Sequence, residues 1–285
     1  MKVDFHCHTT ASDGSLSPIE IVDLALKHEV TSLAITDHDT TSGYQQALNY
    51  AQKNQLQLIT GVEASCSWNK HTIHVVGLDF DIENKLLQDG LKELRKLRLE
   101  RAESMLIKLN SKLGSEITDL ENKLWNLVDK GVVGRGHFAQ LLTEQGLVKN
   151  NQQAFKKYLM KGKPGYAAIE WPDISEVVGW ITQAGGVAVL AHPGIYKISS
   201  NKLNRLIEDF ASAGGQAIEV VNQPRHGAEI TGMADRAERY NLHASLGSDF
   251  HRPEQTWRGL GWLAPLPLKS KPVWELFKTP ICSQT

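Results

Sequence analysis

The first residues able to do chemistry are His6-Cys7-His8, at the end of a short apolar run that opens the chain. Side chains alternate in direction along a strand, so His6 and His8 share one face while Cys7 points to the other. An isolated pair of this kind is equally compatible with a structural role, and recurrence decides between the two. Asp13 follows in the polar turn Ala11-Ser12-Asp13-Gly14, which alone reads as an ordinary turn. Ile35-Thr36-Asp37-His38-Asp39 then puts a second acid and imidazole group at the end of another apolar run. Glu63 follows Gly61-Val62, His74 sits within Thr72-Ile73-His74-Val75-Val76-Gly77, Ala191-His192-Pro193 closes a further run, and Ser248-Asp249-Phe250-His251 ends the last. Six of the 11 histidines thus fall at or near strand ends. So many ionisable groups on one rim would be very costly to bury unless they held metal ions or paired with one another.

The elements that must carry these residues can be read from the pattern. Strands are expected over Lys2–Thr9, Ser32–Thr36, Leu56–Glu63, Thr72–Leu78, Gly186–Ala191, Ala217–Val221 and His243–Ser248. Between most of them lie helical patterns: one opening at Ser17-Pro18-Ile19-Glu20 with a capping box and an early proline, then Ser42–Lys53, Asp173–Gln183, Lys202–Ala213 and Ala228–Tyr240. Seven strands with intervening helices predict an α/β chain, a distorted TIM-like (β/α)7 barrel, with the metal-binding residues on its rim. From 84 to 166 the alternation stops and the chain reads as helix, with Leu87, Leu91, Leu94 and Leu97 at helical spacing. Residues 1–83 and 167–285 are therefore expected to form the barrel, and 84–166 a helical insertion. Lys92, Arg95, Lys96, Arg98 and Arg101 are expected to make a solvated basic face on that insertion, the sharper alternative being a lid over the barrel mouth.

Composition sets bounds. Lys+Arg 31 against Asp+Glu 32 leaves a net charge of −1, without the basic excess of a general nucleic-acid coat. An anionic substrate must be attracted locally. Three unpaired-looking cysteines, Cys7, Cys66 and Cys282, argue for a reducing compartment. No run reaches the length of a membrane span and the start is charged and polar, so a cytoplasmic protein with no membrane association is expected.

The ordered set HCH, the DG turn, TDHD, GVE, the His74 strand, AHP and SDFH resembles the PHP (polymerase and histidinol phosphatase) phosphoesterase family. The resemblance implies a distorted seven-stranded barrel on which nine ligands hold three divalent metals. Carried over, His6, His8, Glu63 and Asp249 would hold one ion, and Glu63 as a bridge with His74 and His192 a second. Asp13, His38 and His251 would hold the third, and Asp37 would orient a ligand. The candidate catalytic residues are His192, His251 and Asp249, with His192 or His251 assisting the leaving group. Two to three ions are expected, manganese foremost with zinc or iron as alternatives, because histidine and carboxylate donors suit all three and so many nitrogens disfavour magnesium. Three divalent ions outweigh three carboxylates, so a dianionic phosphate suits the site, and a water shared between the ions would serve as nucleophile.

Within the insertion, Val133-Gly134-Arg135-Gly136-His137-Phe138 sets an arginine between two glycines, where a guanidinium can grip phosphate. The segment is similar to a GRPHFA-like motif of the branch that acts on nucleoside 3′,5′-bisphosphates and degrades short RNA from the 5′ end, with Gly136 in place of the usual proline. That branch makes Arg135 and His137 the leading candidates for phosphate recognition. Arg225 and His226, just past a strand, rank second. Lys156, Lys157, Tyr158, Lys161, Lys163 and Tyr166 are read as a solvated helix end, or else as an RNA guide. The expected substrates are a nucleoside 3′,5′-bisphosphate, losing its 3′-phosphate, and a short 5′-phosphorylated RNA, with no obligate protein partner. A histidinol-phosphate phosphatase and a non-catalytic metal-binding regulatory module are the alternatives.

Overall fold

The computed structural model describes residues 1–114, 117–255 and 258–281. Strands β1 (Val3–Cys7), β2 (Ser32–Ile35) and β3 (Gln57–Ile59) form one parallel sheet in that order. Strands β4 (Gly61–Trp68), β5 (His71–Leu78), β6 (Val187–Leu190), β7 (Ala217–Val221) and β8 (His243–Leu246) form a second. In it β4 and β6 both run antiparallel to β5, and β6, β7 and β8 are parallel.

The chain is therefore a mixed α/β protein, and among the described residues its strands number eight in two sheets where seven were expected. The two sheets are joined at both edges of the second by single bridges, Cys7 to Phe250 and His38 to Glu63. Thr60 is the physical reason for the split within Leu56–Glu63. Its hydroxyl donates to Phe80 O and accepts from Phe80 N, each at 2.8 Å, and its carbonyl accepts from Asp79 N. These bonds turn the chain from β2 towards the segment after β5. The β4–β5 hairpin closes on Asn69 and Lys70, at φ 45° and 63°, the paired left-handed conformation of a two-residue turn that matches strand twist.

Helices α1 (Pro18–Lys27) and α2 (Ser42–Lys53) pack on the first sheet around Cys7, Ile21, Leu33 and Ile35. The capping box of α1 is formed as expected: Glu20 N donates to Ser17 Oγ, and Ser17 N donates to Glu20 Oε2 at 2.7 Å. Between β5 and β6, over the segment expected as an insertion and so called below, lie α3 (Lys85–Leu113), α4 (Leu120–Val128), α5 (Arg135–Glu144) and α6 (Asn151–Ala154), the last running into a π-helical turn over Phe155–Leu159. Helix α3 serves two cores. Leu87, Leu91 and Leu94 pack into the main core with Trp180 and Ile181, whereas Met105, Leu109 and Leu113 join a separate core within the insertion. Helices α7 (Ile174–Gln183), α8 (Ser200–Ser212) and α9 (Ala228–Arg239) cover the second sheet.

The expectation of a solvated basic face on α3 is corrected for two of its residues. Arg98 is 4% and Arg101 9% exposed. Arg98 Nε pairs with the buried Asp39 carboxylate, its Nη2 donates to Ser65 Oγ at 2.8 Å, and Arg95 Nη1 donates to Asp39 O. This pairing compensates the buried charge and fastens α3 to the loop after β2. Cys7 and Cys66 are free and buried, and Trp274 packs on Phe5, while Cys282 and Trp257 lie outside the described residues.

Candidate metal centre and its arginine cleft

The two sheets bring the sequence-selected ligands together at their shared rim. His6 leaves β1 on the face opposite Cys7, whose thiol donates to Ala34 O, and His8 follows on the same side. Asp39, His192 and Asp249 all have φ between 32° and 56°, a conformation costly for non-glycine residues and met where the chain bends back at functional sites.

Glu63 lies at the centre. Its Oε1 is 2.9 Å from His74 Nδ1 and 2.8 Å from His192 Nε2; its Oε2 is 3.5 Å from His6 Nε2, 3.3 Å from His8 Nε2 and 2.9 Å from His38 Nδ1. Asp249 Oδ1 is 3.6 Å from His6 Nε2 and 3.4 Å from His8 Nε2. Asp13 Oδ1 faces His251 Nε2 at 3.4 Å and His38 Nε2 at 3.8 Å. All nine expected ligands thus converge.

The donor set fits divalent cations on three counts. Two ligands each about 2.1 Å from one ion stand roughly 3–3.5 Å apart, and the distances between these atoms, 2.8 to 3.8 Å, bracket that spacing. Asp13 Oδ1, His38 Nδ1 and His192 Nδ1 are buried without a hydrogen-bond partner, and His38 Nδ1 approaches Glu63 without hydrogen-bond geometry. The electrostatics point the same way. Burial opposes the charged forms of Glu63, Asp13 and Asp249, yet the surrounding imidazoles, chiefly His74 and His38 for Glu63, hold all three well below the usual carboxylate range. Burial likewise opposes a charged His6 and His8, but Glu219 and Glu63 lift His6 well above its ordinary value, and Asp249 and Glu63 lift His8 to about 10. His38, by contrast, falls to about 4 through burial, with Arg98 reinforcing the drop against Glu63. The carboxylates demand positive charge, which protons supply in part and metal ions would supply better.

Supporting residues surround the cluster. Asp37 Oδ1 accepts from Thr9 N and Ser12 Oγ, its Oδ2 accepts from Thr9 Oγ1, and Ser12 Oγ lies 3.4 Å from His8 Nδ1, so Asp37 braces the turn carrying His8. The sequence reading missed Glu219, whose Oε1 is 2.7 Å from His6 Nδ1 and whose Oε2 accepts from His192 N at 2.6 Å. A lone acid within the apolar strand Ala217-Ile218-Glu219-Val220-Val221 was the available signal.

The cluster opens into a cleft of about 440 Å³. Arg98, Arg101 and Arg135 line it from the insertion, Arg252 and Arg258 from beyond β8. Arg98 and Arg101 stand over the Trp171 ring at 5.6 and 5.2 Å, and Arg135 over Phe155 at 5.9 Å. Burial, with Arg98 and Arg135 beside it, lowers Arg101 to about 9, a cation held where an anion would relieve it. Arg135 occupies the expected position, at the start of α5 and close to Asp13, against whose Oδ2 Gly136 packs. His137 has a different role: it is buried outside the cleft lining, and its Nδ1 accepts from Gly134 N at 3.0 Å, capping α5. Arg225 is exposed and lines a neighbouring cleft, and His226 lines neither. Lys156, Lys161 and Lys163 point to solvent and Tyr158 into the insertion core, whereas Asn151 and Phe155 face the cleft.

With this centre defined, the chain belongs to the PHP domain family, whose pattern matches residues 4–173. It is 40% identical over 275 residues to a 3′,5′-nucleoside bisphosphate phosphatase of Chromobacterium violaceum, a match spanning 96% of this chain and 95% of that protein. The 5′-3′ exoribonuclease Rnm of Escherichia coli (strain K12) is 40% identical over 279 residues, 97% of this chain and 94% of that one. The solved structure of an amidohydrolase from Chromobacterium violaceum, with bound sulfate and no metal, is 40% identical with a TM-score of 0.90, over 97% of this chain and 96% of that one.

Proposed function

We propose that this chain is a divalent-metal-dependent phosphoesterase. It removes the 3′-phosphate of nucleoside 3′,5′-bisphosphates and releases 5′-mononucleotides from the 5′ end of short 5′-phosphorylated RNA. The observation that carries this reading is the adjacency of the Glu63-centred ligand cluster to a wall of arginines from the insertion, Arg98 and Arg101 buried and Arg135 half-buried. The named relatives support the same pair of substrates. No described helix is long and apolar enough to cross a membrane. The buried free thiols of Cys7 and Cys66 fit a reducing, cytoplasmic setting.

His6, His8, Glu63 and Asp249 would hold one ion, Glu63 with His74 and His192 a second, and Asp13, His38 and His251 a third. Manganese suits their mixed nitrogen and oxygen donors. When bound, the ions supply Lewis acidity, lowering the pKa of water and neutralising charge on phosphoryl oxygens. The chain's own groups do the rest. Arg135, with Arg98 and Arg101 behind it, anchors the 5′-phosphate and sets the phosphorus on the 3′-oxygen against the ligand cluster, a positional effect worth several kcal/mol. Water adds to that phosphorus, its bond to the 3′-oxygen breaks, and the 3′-oxygen takes a proton from solvent, with His192 or His251 assisting. From a bisphosphate the products are inorganic phosphate and a 5′-mononucleotide. From RNA they are the first nucleotide and a strand with a fresh 5′-phosphate.

The test is to incubate manganese-loaded protein with adenosine 3′,5′-bisphosphate and with short RNA carrying either a 5′-phosphate or a 5′-hydroxyl. Hydrolysis of the first two substrates, with the 5′-hydroxyl RNA cleaved far more slowly, is expected. Equal cleavage of the two RNAs would remove the arginine anchor, and activity in fully demetallated protein would remove the metal centre.

A further inference from the structure

A second cleft, of about 590 Å³, adjoins the first, and Ile195 and Arg258 line both. Its inner wall includes Glu219, which holds the His6 ring and the His192 backbone, so the second cleft backs directly onto the ligand cluster. Among the described residues none of the helical insertion contributes to it; strand β7, the loop after it, helix α9 and the turn after His192 do.

The remaining lining divides by chemistry. Pro224, Met233 and Ile195, the last 51% exposed, give apolar surface of the kind a base lies against. Asn222 and Gln223 offer amide donors and acceptors. Arg225 is exposed and forms no ion pair among the described residues, leaving its guanidinium available to a phosphate. Glu229 stands on the same wall and opposes it.

Resting on the phosphoesterase reading above, we propose that this second cleft binds the nucleotide on the 3′ side of the scissile phosphate, with Arg225 meeting the phosphate that follows it. The argument is one of direction. The first nucleotide, held by its 5′-phosphate at Arg135, occupies the insertion side of the first cleft, and its 3′-phosphorus faces the cluster. The downstream strand keeps that phosphorus when the bond to the first nucleotide's 3′-oxygen breaks, and it must leave away from the insertion, past Ile195 and Arg258. A nucleoside bisphosphate has nothing beyond its 3′-phosphoryl oxygens and leaves this second cleft empty. The groove therefore serves RNA and not the bisphosphate.

The experiment compares kcat/KM of manganese-loaded wild type, Arg225→Glu and Glu229→Lys on adenosine 3′,5′-bisphosphate and on a 5′-phosphorylated RNA trinucleotide. Arg225→Glu is expected to lower the RNA-to-bisphosphate ratio about tenfold and Glu229→Lys to raise it about threefold, both effects shrinking with added salt. Both positions are exposed, and a gain in Glu229→Lys cannot arise from misfolding. If wild type hydrolyses both substrates and the two variants leave the ratio unchanged, or move it in the same direction, the groove is wrong and the phosphoesterase reading survives. If wild type hydrolyses neither, the phosphoesterase reading fails and takes the groove with it.

Discussion

Glu219 and His6 are joined across the base of the centre by a 2.7 Å contact from Oε1 to Nδ1, while the second oxygen of Glu219 accepts the backbone N–H of His192. A carboxylate at Nδ1 keeps a proton there and leaves Nε2 to face Glu63 and Asp249. Glu219→Gln preserves shape but removes the charge. It is expected to cost about 10–100-fold in metal affinity or in activity at limiting metal. Excess manganese should recover most of the activity with the fold intact. A variant whose manganese titration overlays that of wild type would mean that Glu219 only packs.

Glu63 concentrates the cluster, because its two oxygens face five imidazoles. An ion that binds only the folded state stabilises it by about 2.7 kcal/mol at a hundredfold excess over Kd. Thermal unfolding of wild type with manganese should therefore shift down by several degrees on adding chelator. Glu63→Gln should abolish turnover and shrink that shift, the group at Asp13, His38 and His251 keeping its part. A chelator shift of wild-type size in Glu63→Gln would place the ions elsewhere.

Arg98 and Asp39 form a buried pair linking α3 to the loop after β2. Removing one partner strands the other charge, at a cost of about 3–5 kcal/mol. Arg98→Ala should lower the denaturant midpoint accordingly, with hydrogen exchange accelerating in α3 and α5. A loss below about 1 kcal/mol would mean that water or a neighbouring cation replaces the guanidinium.

Most of the ligand cluster was legible because its members end or interrupt apolar runs, Asp13 in its polar turn excepted, and strand alternation alone assigns His6, His8 and Cys7 to their faces. The capping box at Ser17 and Glu20 was legible for the same local reason. What the sequence hid was long-range. Glu219 and Asp39 find their partners 213 and 59 positions away, and no local period marks a carboxylate whose partner is so remote. Arg98 and Arg101 resembled solvated charges because burial of a guanidinium depends on Asp39 and Trp171 arriving from elsewhere. The β4–β5 hairpin was missed because Asn69-Lys70 lacks the glycine that usually marks such a turn, and the split at Thr60 depends on a hydroxyl meeting Phe80.

His137 leads to a pH prediction away from the ligands. Its Nδ1 accepts from Gly134 N at 3.0 Å, which requires an unprotonated nitrogen. Burial lowers its pKa below 6.5, with Asp13 opposing and Arg252 and Arg98 reinforcing. A folded pKa below the unfolded one means that the unfolded chain takes up the proton first. The stabilisation is therefore complete above pH 6.5 and is lost as the pH falls through the folded value. Loss of the bond uncaps α5 and costs about 1 kcal/mol. Protection of the Gly134 amide, corrected for intrinsic exchange, should fall between pH 7 and 5 in wild type. In His137→Gln, which can make the same cap without titrating, protection should stay level. If wild type and His137→Gln lose protection in parallel, acid loosens α5 through some other group, and the imidazole cap is not what holds Arg135 at the mouth of the cleft.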